Sequence, residues 1–173
     1  QVVAVNRPKY NTNDPAINNY PSITFDGTDD YLVGSGLLGS LTDYTVFCVV
    51  KINLHKSYNW IYQNAPLGTN SSFSFSAKNT GRFRFWNGGS TFMESNSSLN
   101  LNEYYILSVQ HSNDSLPATI FTLNGFLDVT DILNPITTTT HLDAGYLLGR
   151  YAAGGDYFNG DFAEFIIYDN YLS

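Results

Sequence analysis

Apolar and polar side chains take turns along much of this chain. The alternation is plainest in Ser72-Phe73-Ser74-Phe75-Ser76-Ala77 and again in Arg82-Phe83-Arg84-Phe85-Trp86. A period of two is the mark of a strand with one buried face. Runs such as Thr45-Val46-Phe47-Cys48-Val49-Val50 are β-branched or apolar throughout, as in strands covered on both faces. Helical periodicity is nearly absent. Strands are expected near residues 22–25, 30–33, 44–52, 59–63, 72–77, 82–86, 91–94, 104–111, 118–123, 126–129, 146–149 and 162–168. Gly, Asn, Asp and Pro fill the breaks between them. Leu123-Asn124-Gly125-Phe126 predicts a tight hairpin, because Asn-Gly suits the positive φ angles of a type I′ turn. Lys78-Asn79-Thr80-Gly81 predicts a second, slightly longer connection, and Asn134 to Thr140 reads as a loop or an edge strand. Many short antiparallel strands in one domain imply two packed sheets. If the strands around Phe75 and Phe83 pair through Asn79-Thr80, then Phe73, Phe75, Ala77, Phe83 and Phe85 face the core. The outer face then carries Ser72, Ser74 and Ser76 beside Arg82, Arg84 and Trp86, a polar surface with an aromatic platform.

Composition agrees with that pattern. The 173 residues suit a single domain spanning 1–173. Hydrophobic residues make up 43% and charged residues only 13%, which excludes a disordered chain. Fifteen acids against eight Lys and Arg give a net charge of −7. No basic footprint for nucleic acid is present, and an anionic membrane surface would repel the chain. No apolar run approaches the ~20 residues of a spanning helix. The single cysteine, Cys48, excludes an internal disulfide and sits in an apolar run with no activating neighbour. The start Gln1-Val2-Val3-Ala4 has neither Met nor a basic leader, so the chain is expected to be a domain cut from a longer polypeptide.

An ordered set of short motifs then points to a family. Pro21-Ser22-Ile23-Thr24-Phe25-Asp26-Gly27-Thr28-Asp29-Asp30-Tyr31-Leu32 resembles the opening of LamG-like jelly-roll domains, and Tyr44 to Lys51 resembles their next core strand. Gly81-Arg82-Phe83-Arg84-Phe85-Trp86-Asn87-Gly88 is similar to their central hairpin, and Leu123-Asn124-Gly125 to a later one. Leu148-Gly149-Arg150 and Phe158-Asn159-Gly160-Asp161-Phe162-Ala163-Glu164-Phe165-Ile166-Ile167-Tyr168, followed by Tyr171-Leu172-Ser173, resemble the family's finish. The resemblance implies an all-β, antiparallel two-sheet β-sandwich jelly roll of the concanavalin A-like lectin/glucanase type. It further implies the bacterial and phage subtype, hence an extracellular, cell-surface or phage-virion setting and a role in binding or adhesion. Its expected partners are a glycan or neighbouring protein subunits, not nucleic acid or a membrane interior.

The candidate site residues follow from this reading. Sugars are gripped by aromatic faces with amide and charged donors beside them. Trp60, Tyr62, Arg82, Arg84, Trp86, Asn87, Arg150 and Tyr157 supply those groups. The same residues admit plainer roles: Trp60 and Tyr62 as packing, Arg82 and Arg84 as a solvated strand face, and Arg150 as a cap on loop carbonyls. No cofactor is required. A structural calcium is expected, if anywhere, at Asp26, Asp29, Asp30 and Asp161, with Asp156 nearby in sequence. Asp26-Gly27 and Asp29-Asp30 are equally turn chemistry. Ala163 also stands where calcium-dependent relatives often carry Asp. Catalysis is not expected. Glycanases need two flanking carboxylates, and none of Glu94, Glu103 or Glu164 has an Asp two residues on, while His55, His111 and His141 are scattered. Three N-glycosylation patterns, at Asn70, Asn96 and Asn113, arise readily in an Asn- and Ser-rich chain.

Overall fold

The computed structural model describes residues 6–34, 40–41, 43–64, 73–87, 92–112, 119–130, 140–141 and 145–172. The described strands are β1 (Lys9–Asp14), β2 (Tyr20–Asp26), β3 (Leu32–Gly34), β4 (Ser40–Leu41), β5 (Asp43–Ile52), β6 (Tyr58–Asn64), β7 (Phe73–Lys78) and β8 (Arg82–Asn87). They continue with β9 (Phe92–Ser98), β10 (Tyr104–Ser112), β11 (Thr119–Leu123), β12 (Phe126–Thr130), β13 (Thr140–His141), β14 (Tyr146–Leu148) and β15 (Asn159–Tyr168). A three-residue 3₁₀ turn, Pro15–Ile17, connects β1 to β2. Two large sheets form, ordered β1-β2-β15-β5-β10-β11-β12 and β3-β14-β6-β7-β8-β9, and β4 pairs with β13 separately. The pairings are antiparallel throughout. This is the antiparallel sandwich that the alternation predicts.

Aromatic side chains join the two sheets. From the seven-stranded sheet, β5 sends Tyr44, Val46, Cys48, Val50 and Ile52 inward, all at most 1% exposed. The six-stranded sheet answers with Phe75, Ala77, Phe83 and Phe85. Phe83 stacks on Phe121 at 5.1 Å, and Tyr62 on Phe165 at 4.5 Å. Each such buried ring contributes roughly 1.5–3 kcal/mol by leaving water. Cys48 lies inside this core, where burial pushes its thiol up. The Asn124-Gly125 turn has φ of 51° and 79°, the pair of positive values that a two-residue hairpin requires.

Three features depart from the sequence reading. Strand β1 was not expected, since Lys-Tyr-Asn-Thr-Asn-Asp is polar and borders the sheet. Strand β9 runs to Ser98 and β15 starts at Asn159, both longer than their apolar cores. The third matters most. A bulge between Trp60 and Tyr62 shifts the β6–β7 register, so that Trp60 faces Ser76 while Tyr62 faces Phe75. An extra residue in one strand reverses the alternation. Trp60 therefore stays on the outer face and Tyr62 turns into the core.

The outer face of the seven-stranded sheet carries a half-buried polar network. Tyr104 O–H donates to Asp14 Oδ2 at 2.6 Å, and Ser22 O–H donates to the same oxygen at 3.0 Å. Tyr104 holds the Asp14 carboxyl below its ordinary value of 3.8, helped by the Ala16 N–H, Ser22 and Lys51. Burial, then the bond to Asp14, holds the Tyr104 phenol well above its ordinary 10.0. Burial likewise raises Tyr62 and Tyr105. The unfolded chain thus releases these phenol protons before the folded one does. Stability is expected to be fully present below pH ~10 and to fall as pH rises above it. On the acid side, the Asp14 contribution is lost as pH falls below its unfolded value. Urea unfolding across pH 8–11 should show a shallower alkaline decline in Tyr104→Phe than in the native protein; equal slopes would remove Tyr104 from the account.

Candidate functional site

The outer face of the six-stranded sheet carries a run of stacked aromatic rings. Its rows come from β6, β7, β8 and β9. On β6, Tyr58 and Trp60 share the outer side and stack at 5.7 Å. On β8, Arg82, Arg84 and Trp86 alternate outward, as the sequence predicts. Strand β7 lies between them, about 4.8 Å from each neighbour, so large side chains on β6 and β8 reach across it. Trp60 and Trp86 accordingly stack at 6.3 Å, while Ser76 faces Trp60 across one side of β7 and Arg84 across the other. Ser74 and Ser76 are 0% exposed, and Trp86 Nε1–H donates to Ser76 Oγ at 3.4 Å. The surface is therefore an aromatic floor, not the open serine face that alternation alone implies.

The floor extends at both ends. Phe92 on β9 packs against Trp86 at 4.7 Å and remains 39% exposed. Tyr151, from the loop after β14, stacks on Trp60 at 4.7 Å. That loop is pinned by Ala152 N–H donating to Gln63 Oε1 at 2.5 Å, with Ala152 buried against Leu147 and Tyr31. The rings Phe92, Trp86, Trp60 and Tyr151 thus form one ladder across the sheet.

Charge on this face is net positive, with Arg82, Arg84 and, 6.0 Å from the Tyr58 ring centre, Lys78 against Glu94. Arg84 Nε donates to Glu94 Oε2 at 2.5 Å, and Arg82 lies 3.5 Å from the other carboxylate oxygen. The Arg84 guanidinium also covers the Phe92 ring at 4.0 Å and the Trp86 ring at 5.9 Å. Cation–π contact and ion pairing hold Arg84 rigid beside the ladder. Trp60 is 7% exposed, covered by its neighbours, whereas Trp86, Tyr151 and Phe92 keep part of their surface open. These open rings with fixed polar edges are the surface chemistry that accepts a sugar ring.

The sequence-derived candidates divide accordingly. Trp60, Trp86, Arg82 and Arg84 meet on this face. Tyr62 lies between the sheets, for the reason given by the bulge. Asn87 ends β8, and its side chain lies outside the described residues. Arg150 and Tyr157 form a bridge at the base of the Tyr151 loop. Tyr58, Phe92, Tyr151 and Glu94 complete the face without having been singled out as binding residues. Tyr58 carried a signal, being two residues before Trp60 on one strand.

The four aspartates do not form one group. Asp26, Asp29 and Asp30 place one carboxylate oxygen each within 4.8 Å of one another. Asp161 instead pairs with Lys51 at 2.6 Å and accepts from Thr24. Within the triad, Asp26 Oδ1 accepts the Thr28 N–H at 2.7 Å, and Asp30 Oδ2 accepts the Asp26 N–H at 3.0 Å. Burial, with Asp26 and Asp29 close by, holds the Asp30 carboxyl above its ordinary value. Carboxylates so placed offer oxygen ligands of the kind calcium takes, while two of them already organise the turn. Asp156 lies in the Tyr151 loop, where its carbonyl accepts the Tyr151 N–H at 2.9 Å.

Comparison with known proteins places this geometry in context. The family model for the concanavalin A-like lectin/glucanases superfamily of laminin G type matches residues 25–173. No curated protein matches the sequence significantly. Among solved structures, a native heptameric SAP-like pentraxin from Limulus polyphemus superposes with a TM-score of 0.68 at 18% identity, over 88% of this chain and 77% of that one. The CBM40 domain of the Ruminococcus gnavus IT-sialidase, bound to α2,3-sialyllactose, gives 0.65 at 15% identity, over 88% and 91%. The K499G mutant of NanB sialidase from Streptococcus pneumoniae gives 0.67 at 16% identity, but the match covers 87% of this chain and only 26% of the sialidase. At these identities the likeness is one of fold.

Proposed function

The chain belongs to the concanavalin A-like lectin/glucanases superfamily, and from that premise we propose that it is a non-catalytic carbohydrate-binding module. The carrying observation is the ladder of Phe92, Trp86, Trp60 and Tyr151 across one outer sheet face. Aromatic faces stack on the C–H-rich faces of sugar rings, while Arg82, Arg84 and Glu94 at the edge fix hydroxyls. A CBM40 domain bound to α2,3-sialyllactose among the structural neighbours supports the same kind of role. The non-catalytic reading draws on the acids of this face. Among the described residues it carries one carboxylate, Glu94, held between two arginines, where glycoside hydrolysis calls for a flanking pair. The module acts within an extracellular, cell-surface or virion protein. No helix among the described residues is long and apolar enough to cross a membrane.

A second reading, contact with neighbouring protein subunits, draws on a different surface. Phe126 is 79% exposed, with Leu127 and Ile106 exposed beside it at the hairpin end of the seven-stranded sheet. A glycan array followed by titration calorimetry separates the two. Selective binding that weakens at least about tenfold in Trp86→Ala, in protein whose circular dichroism shows it still folded, is the expected result. Absence of glycan binding, together with self-association that Phe126→Ser abolishes, would overturn it in favour of assembly.

A further inference from the structure

We propose that Lys78 and Arg82 form a receptor for an anionic group at one end of the aromatic face, so that the sugars this module takes carry a carboxylate or a sulfate. The proposal rests on the glycan-binding reading and adds the class of ligand to it. The chain as a whole is acidic, with eight basic residues against fifteen acids and a net charge of −7. Three of those basic residues, Lys78, Arg82 and Arg84, nevertheless share one face with a single described carboxylate, Glu94. Glu94 is spent mainly on Arg84, whose Nε donates to it at 2.5 Å. Arg82 stays 3.5 Å from the other carboxylate oxygen, with 45% of its side chain exposed. Lys78 has no carboxylate partner among the described residues, and its ammonium lies 6.0 Å from the Tyr58 ring centre. Asp128, which reaches β9 from β12, gives its two oxygens to the Asn96 and Ser97 N–H groups.

Strand register puts these charges in the path of a ligand. Ala77 and Phe83 are opposed and point inward, so Lys78 and Arg82 stand opposite each other on the outer side, at the end of the β7–β8 hairpin. Tyr58 on β6 is opposed to Lys78, and Ser98 on β9 to Arg82. The next outward row, about 7 Å along the strands, holds Trp60, Ser76, Arg84 and Glu94. Trp86 leans over that row, since its Nε1–H donates to Ser76 Oγ at 3.4 Å. A sugar chain laid along β8 from the partly open Trp86 ring therefore passes Arg84 and arrives at Arg82 and Lys78. Like charges set opposite each other on paired strands destabilise the free protein. An anion between the ammonium and the guanidinium turns that repulsion into charge-assisted contacts. The guanidinium meets a carboxylate or a sulfate with paired N–H donors, and the ammonium adds a point charge beside it.

Calorimetry on the whole chain with paired probes tests this. Trigalacturonate and 3′-sialyllactose, each against its methyl ester, supply the carboxylate; 3′-sulfolactose against lactose supplies the sulfate. Native protein is expected to bind at least one charged form about tenfold more tightly than its neutral counterpart in about 0.05 M salt. The margin should shrink in about 0.5 M salt, where exposed charges are screened. Which pair shows the margin identifies the anion. Lys78→Gln should lower the ratio of charged to neutral affinity about threefold, and Lys78→Gln combined with Arg82→Gln should bring the two forms level. The ratio is taken within each protein, so a general loss of affinity does not imitate the effect. Equal binding of charged and neutral forms by the native protein overturns this proposal and leaves the glycan reading standing; that comparison needs no variant to fold. A margin that survives the double substitution also overturns it, as does a glycan array whose hits are all uncharged. Failure of all six probes together with a blank array overturns both.

Discussion

Replacing Asp161 with alanine is expected to cost about 3 kcal/mol of stability, the lower end for removing one partner of a buried ion pair. Asp161 and Lys51 are directly opposed where β15 crosses β5, and their charges meet at 2.6 Å. The carboxylate is 6% exposed and the lysine side chain 17%. Thr24 O–H donates to one carboxylate oxygen, and Asn53 Nδ2 lies 3.4 Å from the other. Asn11 in turn donates to Thr24 Oγ1 at 2.8 Å and to Ser22 Oγ at 3.2 Å, which ties β1 to this cluster. Without Asp161 the ammonium keeps the Tyr104 ring, 5.0 Å away, and the attraction of the Asp14 carboxylate, but loses its direct ion pair, and Thr24 loses its acceptor. Asp161→Asn should cost less, because its amide oxygen still accepts from Thr24. Asp161→Leu combined with Lys51→Met should recover much of the loss, since the cost lies in the stranded charge rather than in the missing pair. Urea midpoints of the four proteins decide it. A loss below about 1 kcal/mol in Asp161→Ala would show that water already screens the pair, as at an open surface.

The ion pair also shows why part of the fold was legible and part was not. Strand positions follow from local alternation, so β5, β7, β8 and β10 could be read directly. Register between distant strands could not. Nothing local says that Asp161 lies opposite Lys51, and without that pairing Asp161 resembles a spare carboxylate near a metal loop. Strand β1 was invisible for a related reason. Its residues are mostly exposed, and it is a strand only because β2 offers an edge. Its exposed Tyr10 and buried Asp14 reverse the usual preference, because a network formed by Tyr104 and Ser22 supplies Asp14 with partners.

The candidate site divides along the same line. Trp60, Arg82, Arg84 and Trp86 share an outer face because each strand keeps its period of two. Tyr62 left that face through a single bulge, which period alone does not reveal. Ser74 and Ser76 point outward as expected, yet tryptophans on both neighbouring strands close over them. Whether an outward residue is exposed depends on the size of its cross-strand neighbours. Glu94 had been weighed only as a catalytic acid; pairing β8 with β9 makes it the counter-ion of Arg82 and Arg84. Tyr151 reaches Trp60 through a loop whose path no local rule specifies.

The largest single loss is expected from the smallest substitution, Gly160→Ala. Gly160 sits in β15 at the point where that strand is flanked by β2 and β5, opposite Phe25 on one side and Ile52 on the other. A Cβ there would lie 2.1 Å from the Lys51 carbonyl oxygen and 2.7 Å from Cζ of Phe158. The first contact is with backbone, so no side-chain rotation relieves it. The strands would have to part where Asp161 meets Lys51 and where Phe158 and Phe162 pack on Phe25. Overpacking that displaces backbone costs up to about 3 kcal/mol or more. Here it would also open a polar network and an aromatic cluster together, so the cost should exceed that of Asp161→Ala. The variant is expected to unfold at a markedly lower urea midpoint or to accumulate as insoluble protein. Gly125→Ala is the control: it shares the small residue, but nothing stands within 4 Å of its added carbon, and only its φ of +79° opposes the change. If the two substitutions cost the same, backbone conformation rather than close strand approach would be what the glycines supply.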